Sequence, residues 1–184
     1  YSYGTCDTHL SPHYWQDTDE MIKVKQWSPE HETDKAIEYL SEKRDKSKPF
    51  ALYMSWNPPH SVYSEVPEEY LNLYDKVELK SNVNLEDIHH HTGENAARTE
   101  EEMILTTKQY YAAVSGLDRQ FGRLIDYLKE NNLYDDTLII LSADHGDMMG
   151  SHGLMGKHVW YEESIRIPFV VHMPDNDNKK CCTC

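Results

Sequence analysis

Residues 137–157 read TLIILSADHGDMMGSHGLMGK, and this stretch decides the fold prediction. Its first five residues, Thr137–Leu141, form a short apolar run typical of a buried parallel strand. Asp144 and His145 follow where such a strand ends, and in open α/β sheets ligands bind beyond the carboxyl ends of the strands. A carboxylate beside an imidazole suits a divalent cation, and Lys157 adds a positive charge suited to an anion. The stretch therefore indicates ester chemistry on sulfate or phosphate.

Two further apolar runs have the length and composition of strands. Phe50–Trp56 is bounded by prolines and suits a central parallel strand covered on both faces, and Ile167–Val171 is the third candidate. Tyr1–Trp27 lacks a clear periodicity and is predicted to be an ordered loop. Because strands alternate with helical segments, the pattern predicts an α/β fold in which helices cover both faces of a layered sheet.

Helical spacing marks three segments of the chain. The first helix begins at Ser28, with that residue as the cap and Pro29 in the first turn, or equally well at Thr33–Asp34. A short helix is predicted over Pro67–Tyr74, and the longest helix over Thr99–Asn131. The longest helix carries an apolar stripe at helical period, formed by Val114, Leu117, Phe121, Leu124, Ile125 and Leu128.

The charge balance argues against nucleic acid as a partner. The chain has 32 acidic and 18 basic residues and a net charge of -14, whereas binding to a phosphate backbone requires clustered Lys and Arg. An anionic substrate in a locally positive pocket is compatible with this charge. The sequence contains no long apolar run, so no membrane partner is expected.

Two segments carry weak metal-site patterns. The His89–His91 run is predicted to be a solvated loop, because three adjacent side chains cannot all face one ion. The functional alternative is that this loop helps to choose the substrate. Residues 175–184 are predicted to be a polar, disordered tail that is rich in cysteine. The redox state of the cysteines is left open; they are Cys6, Cys181, Cys182 and Cys184.

The motif around Asp144 closely resembles the sulfatase family of the alkaline-phosphatase superfamily. The likeness covers nearly all of residues 10–174. It implies an alkaline-phosphatase-like α/β layered sheet, present in part, and makes residues 1–174 the central part of a sulfatase catalytic domain. The segments that carry the likeness are Ser142–Gly153, Gly156–Lys157, Tyr161–Pro168, Asn57–His60 and the helix-strand segment Tyr110–Leu141.

The resemblance implies roles for four residues. Asp144 and His145 match two ligands of the catalytic divalent cation, which is usually Ca²⁺. Lys157 matches the lysine that contacts the sulfate. His60 matches the histidine near the bridging ester oxygen, where an imidazole can give a proton as the C–O–S linkage breaks. Two further histidines near the motif are expected to support these residues, to face the substrate or to be purely structural; they are His152 and His158.

The formylglycine nucleophile of the family is not encoded in this chain. It is made from a Cys/Ser-x-Pro/Ala-Ser-Arg motif, whereas Cys6 is followed by Asp7-Thr8-His9-Leu10. The Asp-Asp pair and the Lys/His pair of the family do not appear at matching places either. We therefore expect an internal fragment that is inactive alone and prone to self-association. The parent enzyme is expected to be exported.

The expected function is that of a sulfuric ester hydrolase, which releases inorganic sulfate from a small-molecule or glycan sulfate ester. A carbohydrate sulfate is the expected substrate, and an aryl sulfate is the alternative substrate. A phosphodiesterase or phosphonate hydrolase of the same superfamily is the alternative enzyme, because it shares the fold and the Asp-His ligands. A non-catalytic module that binds an anionic glycan is the alternative outside enzymes.

Overall fold

The computed structural model describes residues 2–3, 8–80 and 99–174. The His89–His91 run, all four cysteines and the predicted tail lie outside the described residues. The chain divides into two compact units. The first holds the described residues up to 80 together with 99–124, and the second holds residues 125–174. None of the helices in these ranges is long and apolar enough to cross a membrane.

Three short antiparallel strands open the first unit, where the sequence predicted an ordered loop. They are β1 (Ser2–Tyr3), β2 (His13–Trp15) and β3 (Ile22–Lys23), in the order β1-β2-β3. Tyr14 of the middle strand is buried, whereas its two neighbours are half-buried. Strands of two or three residues are too short for an alternating pattern to be recognised, which is why the loop prediction was wrong here.

Helix α1 (Ser28–Glu38) begins at the first of the two predicted starts. Pro29 lies in its first turn as predicted, but the cap is Trp27, and Ser28 is already helical. The N–H of Ser28 donates to the carbonyl oxygen of His9 at 2.7 Å. A backbone carbonyl from an earlier segment, rather than a cap side chain, therefore satisfies a donor at this helix start.

Two other helix predictions are confirmed. Helix α2 (Glu68–Leu71) lies within the predicted range, and the long helix α3 (Glu100–Glu130) coincides with its predicted range to within one residue at each end. A π-helical turn (Tyr39–Lys43) directly follows α1, and a 3₁₀ turn (Asn72–Tyr74) directly follows α2.

The core of the first unit forms where Trp27 and Tyr70 meet helix α3. Their ring centroids lie 5.4 Å apart, and both side chains belong to the cluster that contains Ala112. A Cβ on Gly116 would lie only 2.7 Å from the indole ring. The packed face of α3 therefore carries small residues. The apolar stripe predicted for this helix is wrong at Val114, which is 43% exposed.

The segment Phe50–Trp56 has no regular secondary structure, which corrects the prediction of a central strand. Within the described residues no strand pairs with it, and Tyr53 is 90% exposed. A strand is held by hydrogen bonds to a neighbouring strand, so an apolar composition does not produce one without a partner.

Strands β4 (Ile139–Ser142) and β5 (Phe169–His172) form the sheet of the second unit and confirm the positions of two predicted strands. They pair antiparallel, and Ile140 is 54% exposed, so the prediction of a buried parallel strand was wrong. An apolar run indicates a strand but not its direction, which depends on the path of the connecting chain. That path includes the short helix α4 (Glu162–Ile165) and places Asp144 just beyond the end of β4.

Replacing Glu32 of helix α1 should make the stability of the protein less dependent on pH. Burial raises the pKa of its carboxyl from 4.5 to about 8. Below about pH 4.5 the carboxyl is neutral in both folded and unfolded chains. Between about pH 4.5 and 8 the unfolded chain ionises first, so stability falls as the pH rises. Glu32→Gln should therefore raise the free energy of unfolding, by an amount that grows to a few kcal/mol near pH 8.

Urea unfolding at several pH values between 4 and 8 measures this effect. Glu42→Gln, at an exposed position shortly after α1, is the matched control and should change stability by less than about 0.5 kcal/mol at every pH. A stability gain for Glu32→Gln that is the same at pH 4.5 and pH 8 would contradict the assignment of a buried, neutral carboxyl.

Two glycines of helix α3 should respond in opposite ways to alanine. Gly116→Ala places a methyl group against the buried Trp27 ring and should destabilise the protein by about 1–3 kcal/mol. A Cβ on Gly122 meets nothing within 4 Å, so Gly122→Ala should be neutral or stabilising by up to about 1 kcal/mol. Thermal unfolding of both variants tests the packing. Equal shifts would mean that the indole does not lie against Gly116.

Candidate functional site

Asp144, His145 and Lys157 come together beyond the end of strand β4. Lys157 Nζ lies 2.6 Å from His145 Nε2, although the two residues are 12 positions apart. Asp144 Oδ2 lies 3.4 Å from the same nitrogen, and Asp144 Oδ1 accepts a hydrogen bond from the His145 N–H at 3.1 Å. The Asp144 side chain is 88% exposed and that of His145 is 29% exposed. Three of the four residues predicted for the site thus share one cluster.

A hydrogen bond to the backbone sets the tautomer of His145. Its Nδ1 lies 2.6 Å from the carbonyl oxygen of Gly146. A carbonyl oxygen can only accept, so Nδ1 carries the proton and Nε2 presents a lone pair. The ammonium of Lys157 donates to that lone pair. An imidazole held in this way, through one nitrogen bonded to a carbonyl, has the geometry of a metal-ligating histidine.

Gly146 brings the motif against helix α4. Its N–H donates to the carbonyl oxygen of Ser164 at 2.8 Å, and a Cβ on Gly146 would overlap the carbonyl oxygen of Glu163. Any side chain at this position would push the two segments apart. The glycine after His145 is therefore required for the close approach of the backbone.

The carboxylate of Asp147 closes the glycine-rich loop. Asp147 Oδ1 accepts from the N–H of Met149 at 3.0 Å and from the N–H of Gly156 at 3.1 Å. The N–H of Met148 also donates to the Gly156 carbonyl oxygen at 2.8 Å. These bonds hold the two ends of the loop together, and Lys157 follows directly after the second end. The sequence prediction missed Asp147. An Asp two residues before a bonded N–H is a known turn signal.

The two further histidines near the motif differ in their surroundings. His152 stacks on Tyr161 with ring centroids 4.0 Å apart, and its Nε2 lies 3.6 Å from Glu163 Oε1. His158 is exposed and has a φ of 77°. The structure therefore gives His152 contacts that hold the segment before α4, whereas no such contact of His158 is seen among the described residues.

His60 lies in the first unit, in the turn that follows the Phe50–Trp56 segment. Its N–H donates to the Asn57 carbonyl oxygen at 3.1 Å, and its Nδ1 lies 2.9 Å from the Ser61 carbonyl oxygen. Because that carbonyl can only accept, Nδ1 carries the proton. Nε2 is then the ring nitrogen that can exchange a proton with a ligand.

The donor set of the cluster fits a hard divalent cation in part. A carboxylate and an imidazole lone pair converge, and both groups are common ligands of such ions. Ca²⁺ takes 6–8 oxygen ligands, which is more than this pair supplies. Within the described residues no group of three or more His, Cys, Asp or Glu side chains is placed to hold a metal ion.

Comparison with known sequences identifies one family. A family model described as Sulfatase matches residues 4–180. An endo-4-O-sulfatase from Bacteroides thetaiotaomicron is 37% identical over 95% of this chain and 34% of its own length. An ulvan-active sulfatase from Formosa agariphila is 29% identical over 96% of this chain and 33% of its own length. The chain therefore spans about a third of the length of these curated relatives.

Solved structures show the same relationship. A Bacteroides thetaiotaomicron structure described under the metabolism of multiple glycosaminoglycans matches with a TM-score of 0.79 at 35% identity, over 95% of this chain and 36% of that chain. A Bacteroides fragilis structure assigned to the sulfatases matches with a TM-score of 0.75 at 38% identity, over 91% of this chain and 36% of that chain. These matches confirm the alkaline-phosphatase-like α/β fold, present in part, and together with the family model they show that the chain belongs to the sulfatase family.

Proposed function

We propose that the full-length protein that contains this chain hydrolyses a carbohydrate sulfate ester to an alcohol and inorganic sulfate. The proposal is supported by the convergence of Asp144, His145 and Lys157, which brings two side chains suited to ligate a cation next to an ammonium suited to bind an anion. The substrate class is supported by the relative at 37% identity, whose name specifies an endo-4-O-sulfatase. An aryl sulfate is the second substrate class, because an arylsulfatase from Clostridium perfringens is 30% identical.

Asp144 and His145 would hold the cation, which we propose to be Ca²⁺. When bound, such an ion withdraws charge from sulfate oxygens. The sequence has no Cys/Ser-x-Pro/Ala-Ser-Arg motif, so the formylglycine and the remaining ligands would come from other parts of the full-length protein. The contribution of this chain is to present the Asp144 carboxylate and the His145 Nε2 on a backbone that Gly146 and Asp147 hold in place.

Lys157 would bind the sulfate group. Its ammonium bonds to His145 Nε2 in this structure, and a divalent cation on that lone pair would exclude it. Turning Nζ toward a sulfate oxygen would free the His145 lone pair for the cation. The ammonium would stay close to the site and gain a charged acceptor. A lysine on a loop closed by Asp147 keeps enough side-chain freedom for this movement.

His60 would protonate the leaving oxygen. Its Nδ1–H is committed to the Ser61 carbonyl, so in the cationic, doubly protonated ring Nε2 is the nitrogen that can deliver a proton, which leaves the ring neutral. Transfer of that proton neutralises the alkoxide as the bond between oxygen and sulfur breaks. The need for this proton transfer depends on the leaving group, since a phenolate with an electron-withdrawing group is a stable anion that departs without being protonated.

Phosphorus chemistry is the second candidate function. A phosphonate monoester hydrolase structure from Agrobacterium radiobacter matches with a TM-score of 0.67 at 25% identity, over 78% of this chain and 32% of that chain. The Asp-His pair and an ammonium serve a phosphonate as well as a sulfate. The higher identity to proteins named as sulfatases favours the sulfate ester.

Removing the ammonium of Lys157 should abolish most of the turnover. Lys157→Ala in the full-length, matured protein should lower kcat/KM for a 4-O-sulfated oligosaccharide by about 10²–10³, because a charge aimed at the reacting group is lost. Sulfate release by ion chromatography is the measurement. Lys46→Ala, at an exposed lysine, is the control and should leave the rate unchanged.

Three other outcomes would contradict the sulfatase proposal. Hydrolysis of a phosphonate monoester without release from any sulfate ester would favour the phosphonate hydrolase. Tight binding of the sulfated oligosaccharide without release would favour the non-catalytic module. Full activity of Lys157→Ala would remove Lys157 from the site.

The effect of replacing His60 should depend on the leaving group. His60→Ala should lower kcat for the 4-O-sulfated oligosaccharide by about 10²–10⁴, which is the usual contribution of a positioned acid. For 4-nitrophenyl sulfate, whose phenolate needs no proton, the loss should stay below about 10-fold. Steady-state kinetics with both substrates measures the ratio of the two losses. Equal losses would exclude His60 as the acid.

A further inference from the structure

His9 is a buried histidine in contact with the backbone of His60. Its side chain is 2% exposed, and its Nε2 lies 3.2 Å from the carbonyl oxygen of His60, 51 positions away. A carbonyl can only accept, so the imidazole of His9 donates through an Nε2–H. This contact gives a buried polar group a partner, and it also fixes one peptide group of the candidate acid.

The peptide group that joins His9 to Leu10 is held at both its oxygen and its N–H, directly beside the His9 side chain. The His9 carbonyl oxygen accepts from the N–H of Ser28 at 2.7 Å, at the start of helix α1. The next N–H, that of Leu10, donates to Glu65 Oε2 at 3.1 Å. The start of helix α1 and the Glu65 carboxylate therefore anchor the backbone next to the His9 imidazole.

The peptide group that His9 holds also controls the ring of His60. The His60 carbonyl belongs to the peptide group that joins His60 to Ser61, and the Ser61 carbonyl in turn accepts from His60 Nδ1. If the first carbonyl loses its donor, that peptide group can rotate and displace Ser61. The hydrogen bond that sets the tautomer and direction of the His60 ring would then weaken.

We propose that His9 is a positioning residue for His60: its Nε2–H clamps the His60 carbonyl and so aims His60 Nε2 at the leaving oxygen. The inference rests on the proposed role of His60 as the acid. It assigns a task to a buried imidazole that the proposed reaction does not otherwise use. Groups that orient a reacting side chain through hydrogen bonds commonly affect rates by about 10–100-fold.

A matched control separates positioning from simple structural support. Trp27 is also 2% exposed, and its Nε1–H donates to the Glu65 carbonyl oxygen at 3.2 Å. It thus makes the same kind of bond, at the same length and in the same unit, to a carbonyl that is not that of His60. Trp27→Phe removes this donor and keeps an aromatic ring.

The test compares His9→Leu, His9→Gln and Trp27→Phe in the full-length, matured protein. His9→Leu should lower kcat for the 4-O-sulfated oligosaccharide by roughly 10-fold or more, with KM and the rate for 4-nitrophenyl sulfate changed by less than about 3-fold. His9→Gln, whose amide nitrogen can reach the position of Nε2, should restore most of the rate. Trp27→Phe should lower both rates equally or leave both unchanged.

Each other outcome overturns the inference. Equal losses of His9→Leu on both substrates would mean structural support only, and unchanged rates would mean no role. If His9→Leu does not fold, His9→Asn replaces it: its shorter amide cannot reach the carbonyl, so it should show the selective loss that His9→Gln lacks. A selective loss in His60→Ala without one in any His9 variant contradicts this inference alone. Equal losses in His60→Ala contradict the proposed acid and this inference with it.

Discussion

The carboxylate of Asp147 is the constraint on which the candidate site depends. It bonds the N–H groups of Met149 and Gly156 and so closes the glycine-rich loop at both ends. Lys157 follows the closed end, and its Nζ reaches His145 Nε2 at 2.6 Å. A flexible loop of glycines would lose much conformational entropy on ordering, and two charge-assisted hydrogen bonds to one carboxylate oppose that loss. The spacing between His145 and Lys157 in the sequence therefore matches a loop that Asp147 closes and that brings the two side chains together.

The grouping of three of the predicted site residues could be predicted from the sequence because it is local. Asp144, His145 and Lys157 lie within one short motif, directly after an apolar run. The position of the run was correct even though its direction and burial were not. The roles of these residues are predictions that rest on family resemblance and on the geometry of the cluster. The family itself is established by the match over residues 4–180.

The missed features depend on contacts between distant parts of the chain. The bond from His9 to the His60 carbonyl joins residues 51 positions apart, and no periodicity marks it. The small residues on the packed face of α3 make sense only once the Trp27 ring lies against Gly116. The Phe50–Trp56 run satisfied every compositional rule for a strand but has no neighbour within the described residues. Propensity indicates what a segment can form, whereas pairing decides what it does form.

We propose that Asp144, His145 and Lys157 are the contribution of this chain to a cation and sulfate site. The most direct test is a crystal structure of the full-length protein soaked with Ca²⁺ and a sulfated oligosaccharide, with anomalous scattering used to locate the cation. We predict a cation about 2.3–2.6 Å from an oxygen of Asp144, with Lys157 Nζ turned from His145 onto a sulfate oxygen. A cation bound away from Asp144, or a sulfate group that Lys157 does not contact, would contradict it.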